Sequence, residues 1–164
     1  MPHDEYVASL ARKRMAVIAL FRDDDERVLI VNPTYKDDWL LPGGSVEADE
    51  SPHAACRREV LEEIGLDRQP GRVVAVDWVP ARPDWPEGLV LVYDGGVLSR
   101  RDIQDIVVDG EEISEFRFVA PDTMPSWLSP GSSRRIAACL AALRTGEVLS
   151  LEDGRSPAAS QGHR

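Results

Sequence analysis

The chain has 164 residues, the size of one ordinary domain, and can bury about 70% of its unfolded surface without disulfide or metal staples. Hydrophobic residues at 43% and charged residues at 29% are globular proportions and exclude a chain disordered throughout. Acidic residues outnumber basic ones 29 to 19, for a net charge of −10, which argues against a nucleic-acid-binding surface and against docking on an anionic membrane. A polyanionic small molecule remains compatible, because bound cations reverse the local sign.

Residues 1–14 are mixed and charged, without the apolar core of a secretory signal. The longest apolar runs, 15–21 and 137–143 with Ile136 before it, have seven and eight residues, against about 20 for a membrane span. Two cysteines, Cys56 and Cys139, make no disulfide framework, so the expectation is a reduced, cytoplasmic protein in which both are small core residues. Apolar runs at 15–21 and 28–31 flank an acidic turn (Asp23, Asp24, Asp25, Glu26) and predict a hairpin. The stretch 32–42 reads as a loop, broken again by Gly43 and Gly44. Ser51 as N-cap, Pro52 at the first helical position and Gly65 as terminator predict a helix over 52–64. Strands are predicted at 73–79, 89–93 and 113–119, with a proline-rich loop between the first two. A second helix, capped by Ser132, is predicted to run through Leu143. Residues 153–164 show no periodicity and read as frayed. The resulting division is an N-terminal arm at 1–13, one α/β domain at 14–150 and a flexible tail at 151–164.

On an ideal wheel with Glu59 at 0°, Glu62 falls at about 300° and Glu63 at about 40°, so three carboxylates share an arc of about 100°. Val60, Ile64 and Leu61 form an apolar stripe turned away from them, at about 100°, 140° and 200°. Like charges at these spacings weaken a helix by roughly 0.2–0.5 kcal/mol per pair, and glutamates so near the C-terminal end oppose the macrodipole. Most charge runs are solvated faces; convergent carboxylates also suit a hard divalent cation shared with phosphate oxygens.

The wider pattern decides between these. Gly44 is followed after five residues by Glu50, after seven more by Arg58 and Glu59, then by Val60, Glu62, Glu63, Gly65 and Leu66. This resembles the Nudix hydrolase signature, G-x5-E-x7-R-E-U-x-E-E-x-G-U with U aliphatic, at every specified position, and Trp39 to Gly43 are similar to the usual approach to that box. The resemblance implies an α/β fold, a Nudix-type α/β/α sandwich with a mixed β-sheet between helices. It implies hydrolysis of the diphosphate linkage of a nucleoside diphosphate derivative (ADP-ribose or nucleotide-sugar type, or a nucleoside triphosphate), with Mg2+ or Mn2+.

By that resemblance Glu59, Glu62 and Glu63 are metal ligands, joined by the carbonyl of Gly43. Gly44, Glu50, Arg58 and Gly65 are structural parts of the motif. Glu59 is the first candidate for removing the proton from the attacking water, and some members recruit a base from a downstream loop, where Glu111, Glu112 and Glu115 lie, with Glu112 preferred. Tyr35, Trp39, Arg82 and Trp85 are candidates for base stacking and phosphate contact, set against packing roles for each. His53 falls on the apolar side of the wheel and reads as a packing or surface histidine. Position 82, where ADP-ribose-hydrolysing members carry proline, is Arg between Pro80 and Pro83, and there is no tyrosine from 65 to 92 of the kind found in dinucleoside polyphosphate hydrolases. The substrate is not readable from these residues. The partner expected is a small nucleotide diphosphate, with no nucleic acid and no membrane; a homodimer enters by family analogy alone. The competing reading is a non-catalytic Nudix-like nucleotide sensor, although such modules usually lose box glutamates and here all stand.

Overall fold

The computed structural model describes residues 1–157. Helix α1 (His3–Ser9) buries none of its residues and is the arm expected at the N-terminus. Strands β1 (Arg14–Arg22) and β2 (Val28–Pro33) follow. Their turn is organised by Asp23, 4% exposed, whose carboxylate accepts from the backbone N–H groups of Asp25 and Arg27 at 3.0 and 2.9 Å and from Arg27 Nε at 2.7 Å.

The two strands pair beside that turn, Arg22 opposite Val28, and then part. The following chain enters the gap between them. Leu40 and Val31 exchange backbone hydrogen bonds at 3.0 and 2.7 Å, and the Ala19 N–H donates to the Pro42 carbonyl at 2.8 Å. Gly43–Ser45 then forms strand β3, antiparallel to β1 with Gly43 opposite Ile18 and Gly44 opposite Val17. The glycines that read as a break in regular structure are therefore inside the sheet. A Cβ at Gly43 would stand 2.0 Å from the Val17 carbonyl oxygen, a contact only glycine avoids.

Helix α2 (Pro52–Ile64) has the predicted bounds. Ser51 Oγ accepts from the Ala54 N–H at 3.1 Å, and Gly65, at φ 71°, closes the helix through its N–H to Leu61 at 3.0 Å. Strands β4 (Val73–Val79) and β5 (Gly88–Val97), short helix α3 (Arg100–Gln104) with a Ser99–Asp102 capping box, and β6 (Ile113–Val119) come next. A 3-10 turn (Pro121–Ser126) leads into α4 (Pro130–Thr145). Its N-cap is Ser129, with Pro130 in the first turn, three residues before the predicted cap; Ser132 supplies a backbone N–H to that cap instead.

The sheet order is β6-β2-β1-β5-β4-β7, with β3 added to β1. β1 and β5 run parallel, as do β4 and β7 (Leu149–Glu152), and the other pairs are antiparallel. Helix α2 packs on one face over Val17, Phe21, Leu29 and Val31, and α4 covers the other over Leu20, Ile30, Ala75 and Val92. This is the α/β sandwich that the motif implies. Among the described residues no helix is long and apolar enough to cross a membrane.

The expected tail boundary needs correction. Residues 149–152 form β7, with Leu151 2% exposed. The Asp153 N–H donates to Trp78 O at 2.8 Å, and the Gly154 N–H to Asp77 Oδ1 at 3.0 Å. A parallel partner more than seventy residues upstream leaves no local periodicity to read. Residues 158–164 of the predicted tail lie outside the described residues.

Candidate active site

The three box carboxylates are graded by burial around α2. Glu62 is 54% exposed in its side chain, Glu59 13% and Glu63 5%. That order follows the wheel, since Glu63 lies nearest the apolar stripe. The Glu63 carboxylate sits over the strand insertion and accepts the Gly43 N–H at 3.0 Å. Burial pushes its pKa up to about 8; the Gly43 hydrogen bond pulls the other way, and the charges of Glu59, Glu112 and Glu62 add to the rise. Glu59 is also raised, first by burial, against the opposing pull of Arg58.

Gly44 is where Glu59 crosses the inserted strand: a Cβ there would lie 2.4 Å from the Glu59 carboxyl carbon. Arg58 holds the loop to the helix. Its Nε and Nη2 donate to Glu50 at 2.7 and 2.8 Å, Nη2 also to the Ser45 carbonyl at 3.1 Å, and Nη1 to Glu59 at 2.8 Å and Glu62 at 3.4 Å. The two-pronged contact is the strong form of a carboxylate–arginine pair, and it holds Glu50 at about 2.

Among the described residues, no three acidic, histidine or cysteine side chains form a ready-made metal cage: Glu59 and Glu62 are turned to Arg58. The donor chemistry nevertheless fits a hard divalent cation. A buried carboxylate with one N–H partner, crowded by further carboxylates, is the group that such an ion would relieve.

Glu112 belongs to this cluster. Its charge acts on Glu59 and Glu63; its carbonyl accepts the Thr34 N–H at 2.9 Å, and Asp109 Oδ1 caps the turn below it, accepting the Glu111 and Glu112 N–H groups at 2.9 and 3.2 Å. Tyr35 is next along from Thr34; its partial burial raises its pKa, and the charges of Glu63, Glu112 and Glu59 add to the rise. Glu115 instead lies 3.6 Å from Arg117.

The remaining candidates are placed elsewhere. Trp39, a stacking candidate set against a packing role, is 9% exposed, part of the core under α4, and edge-on to Trp127 at 5.2 Å. Of the two roles open in the sequence, the fold shows packing. Arg82 and Trp85 close a tight turn on each other, with backbone bonds of 2.8 and 3.1 Å; Arg82 lies 3.6 Å from Asp153, and Arg14 lies over the Trp85 ring at 5.1 Å. Both belong to the β4–β5 connection, and among the described residues no hydrogen bond or ion pair joins them to Glu59, Glu62 or Glu63. His53 bonds Pro70 O at 3.2 Å and meets Tyr93 edge-on, a packing role as read. Arg117 and Trp127 were passed over because each reads as an isolated residue in sequence; both converge on Trp39.

A mixed sheet between helices, with an acid-bearing helix laid over a glycine strand, defines a protein of the α/β sandwich class. The NUDIX domain model matches residues 12–139, and the chain belongs to the Nudix family. It is similar to diphosphoinositol polyphosphate phosphohydrolase 2 of Rattus norvegicus, 38% identical over 66 residues that make up 40% of this chain and 37% of that one. The chain thus matches little more than a third of that relative. Among solved structures, the MutT protein of Methanosarcina mazei Go1 is 25% identical with a TM-score of 0.65, covering 85% of this chain and 99% of that one. An ADP-ribose pyrophosphatase of Streptococcus suis 89-1591, 24% identical with a TM-score of 0.63 over 85% and 99%, shares the fold.

Proposed function

We propose that the chain is a pyrophosphohydrolase that cleaves the diphosphate linkage of a nucleoside diphosphate derivative. The observation that carries this is the buried, protonation-prone Glu63 carboxylate joined to the inserted strand at Gly43, with Glu59, Glu62 and Glu112 within electrostatic reach. Glu59, Glu62, Glu63 and the Gly43 carbonyl would hold Mg2+ or Mn2+. When bound, such an ion neutralises phosphate charge and makes a water nucleophilic near neutral pH.

The chain's own residues set the geometry. The Glu50–Arg58 clamp fixes the glycine strand against α2, and Gly44 leaves room for the Glu59 carboxylate. In the reaction one P–O bond forms from water, the bridging P–O bond breaks, and the water's proton ends on the departing phosphate. Glu59 or Glu112 carries that proton on the way; the Thr34–Glu112 backbone bond, which pins Glu112 beside Tyr35, supports Glu112. In this reading Tyr35, 67% exposed, would lie against the substrate.

The test is a panel of ADP-ribose, nucleotide sugars, dinucleoside polyphosphates, nucleoside triphosphates and a diphosphoinositol polyphosphate, with Mg2+ or Mn2+ and chromatographic product analysis. Preferential cleavage of one nucleotide substrate, lost with chelator and in Glu59→Gln, is expected. Preference for the inositol compound would move the substrate class, and no turnover of any would refute the hydrolase.

A further inference from the structure

We infer that Arg117 is a substrate-recognition residue, a guanidinium presented on two indoles to grip a planar pair of acceptor atoms on the part of the substrate away from the diphosphate. Its Cζ lies 5.5 Å from the Trp39 ring centre and 5.2 Å from that of Trp127, and the two rings meet edge-on at 5.2 Å. The Trp39 N–H donates to the Trp127 carbonyl at 3.0 Å, so both halves of the platform are fixed by backbone as well as by packing. The platform holds the cation in one place and leaves its donors unused. Arg117 is 50% exposed in its side chain, and its nearest carboxylate is Glu115 at 3.6 Å, beyond hydrogen-bond distance. No other partner occurs among the described residues. An arginine that needed only solvation would not require two tryptophans, whereas one pre-positioned by ring contact loses little freedom when it binds a forked acceptor.

Arg117 is opposite Ile30 in the β6–β2 pairing, on the α4 face, whereas α2 carries the carboxylates on the other face; the two meet at the segment inserted between β1 and β2. Trp39 lies four residues before Gly43, whose N–H binds Glu63. Four residues span at most about 14 Å of chain, a reach suited to a ligand with its diphosphate at the carboxylates and its far group at the platform. Two far groups offer the required acceptors: the O6/N7 edge of guanine, and a further phosphate.

The inference rests on the proposed hydrolase, and its test separates the two. Wild type, Arg117→Ala and Arg117→Lys are assayed with GDP-ribose, UDP-ribose and UDP-ribose carrying an additional ribose phosphate, with melting temperature as the control for folding; lysine keeps the charge and the aliphatic stem but not the fork. Uracil carries a hydrogen on N3 and presents no adjacent acceptor pair. The expected result is a 10- to 100-fold rise in KM in both variants, confined to substrates with the acceptor pair, with kcat within about threefold. An effect on GDP-ribose alone assigns the guanine edge, and an effect on the phosphorylated UDP-ribose alone assigns the phosphate. Unchanged KM values, a uniform rise across all three substrates, or full activity in Arg117→Lys would overturn the inference. Without turnover, titration of GMP, UMP and uridine 3′,5′-bisphosphate against intrinsic tryptophan fluorescence, in a Trp85→Phe background, reads the same site. Quenching selective for GMP or the bisphosphate that disappears in Arg117→Ala supports the subsite even if no diphosphate is cleaved. Absent quenching, or quenching indifferent to residue 117, counts against it.

Discussion

Asp77 has no exposed surface, yet it lies in the middle of β4 among apolar neighbours. One carboxylate oxygen receives Arg135 Nε of α4 at 2.6 Å, and the other receives the Gly154 N–H at 3.0 Å; Arg135 is itself 10% exposed in its side chain. Asp77→Ala would strand a buried guanidinium and a backbone donor together. Removing one partner of such a pair typically costs 3–5 kcal/mol, and the Gly154 N–H, itself buried, loses its acceptor in the same step, so about 4 kcal/mol is expected in all. With an unfolding entropy of roughly 2.1 cal/mol/K per residue, that lowers the melting temperature by about 12 °C. Replacing both members, as in Asp77→Val with Arg135→Met, removes the unpaired charge and is expected to restore more than half of the loss. The assay is thermal and urea unfolding followed by near-UV circular dichroism. A drop below about 3 °C for Asp77→Ala, or a double variant no better than the single, would refute the view that unpaired charge dominates at this position.

Three further outcomes follow from the site. Glu63→Gln is expected to cut turnover by at least a hundredfold while leaving the metal-free melting temperature equal or higher, because the amide still accepts the Gly43 N–H and removes a carboxylate whose charge burial disfavours; measured kcat and melting temperature check both halves. Gly44→Ala places a methyl against the flexible end of Glu59 and not against backbone, so kcat is expected to fall ten- to a thousandfold with little change in stability, read by steady-state kinetics beside a melting curve. The Glu50 carboxyl is held at about 2 in the fold, below its ordinary value of 4.5. Its contribution is therefore complete above about pH 4.5 and lost as the pH falls through about 2, so the melting-temperature gap between wild type and Glu50→Gln should close over that interval and stay constant above it.

Much of this was legible in local signals. Ser51, Pro52 and Gly65 gave both ends of α2, and alternation gave β4 and β6 with the observed bounds. The wheel also contained the burial order of the acids, with Glu63 nearest the apolar stripe; the strand folded over Glu63 completes its burial, and that strand depends on β1. Strands β3 and β7 were missed for the same reason: two glycines and a serine, or Leu149–Glu152, become strands only because a distant partner offers unpaired backbone groups. For Trp39 the sequence left stacking and packing both open, since its neighbours Asp37 and Asp38 are polar and only the fold turns its ring under α4. Arg82 and Trp85 follow the box in sequence, but the β4–β5 pairing fixes where their turn lies.

The insertion of residues 40–45 between β1 and β2 has a consequence for motion. A binding loop usually opens at little free energy, independently of the core. Here the Gly43 and Gly44 backbone is part of the sheet ladder, so its amide protons should exchange on the timescale of the central strands and not on that of a surface turn. Displacing the segment would break β1 pairing. Admission and release of a ligand therefore fall to the rim (Tyr35 and the Asp109–Glu112 turn), while the carboxylates inherit the stiffness of the strands beneath them.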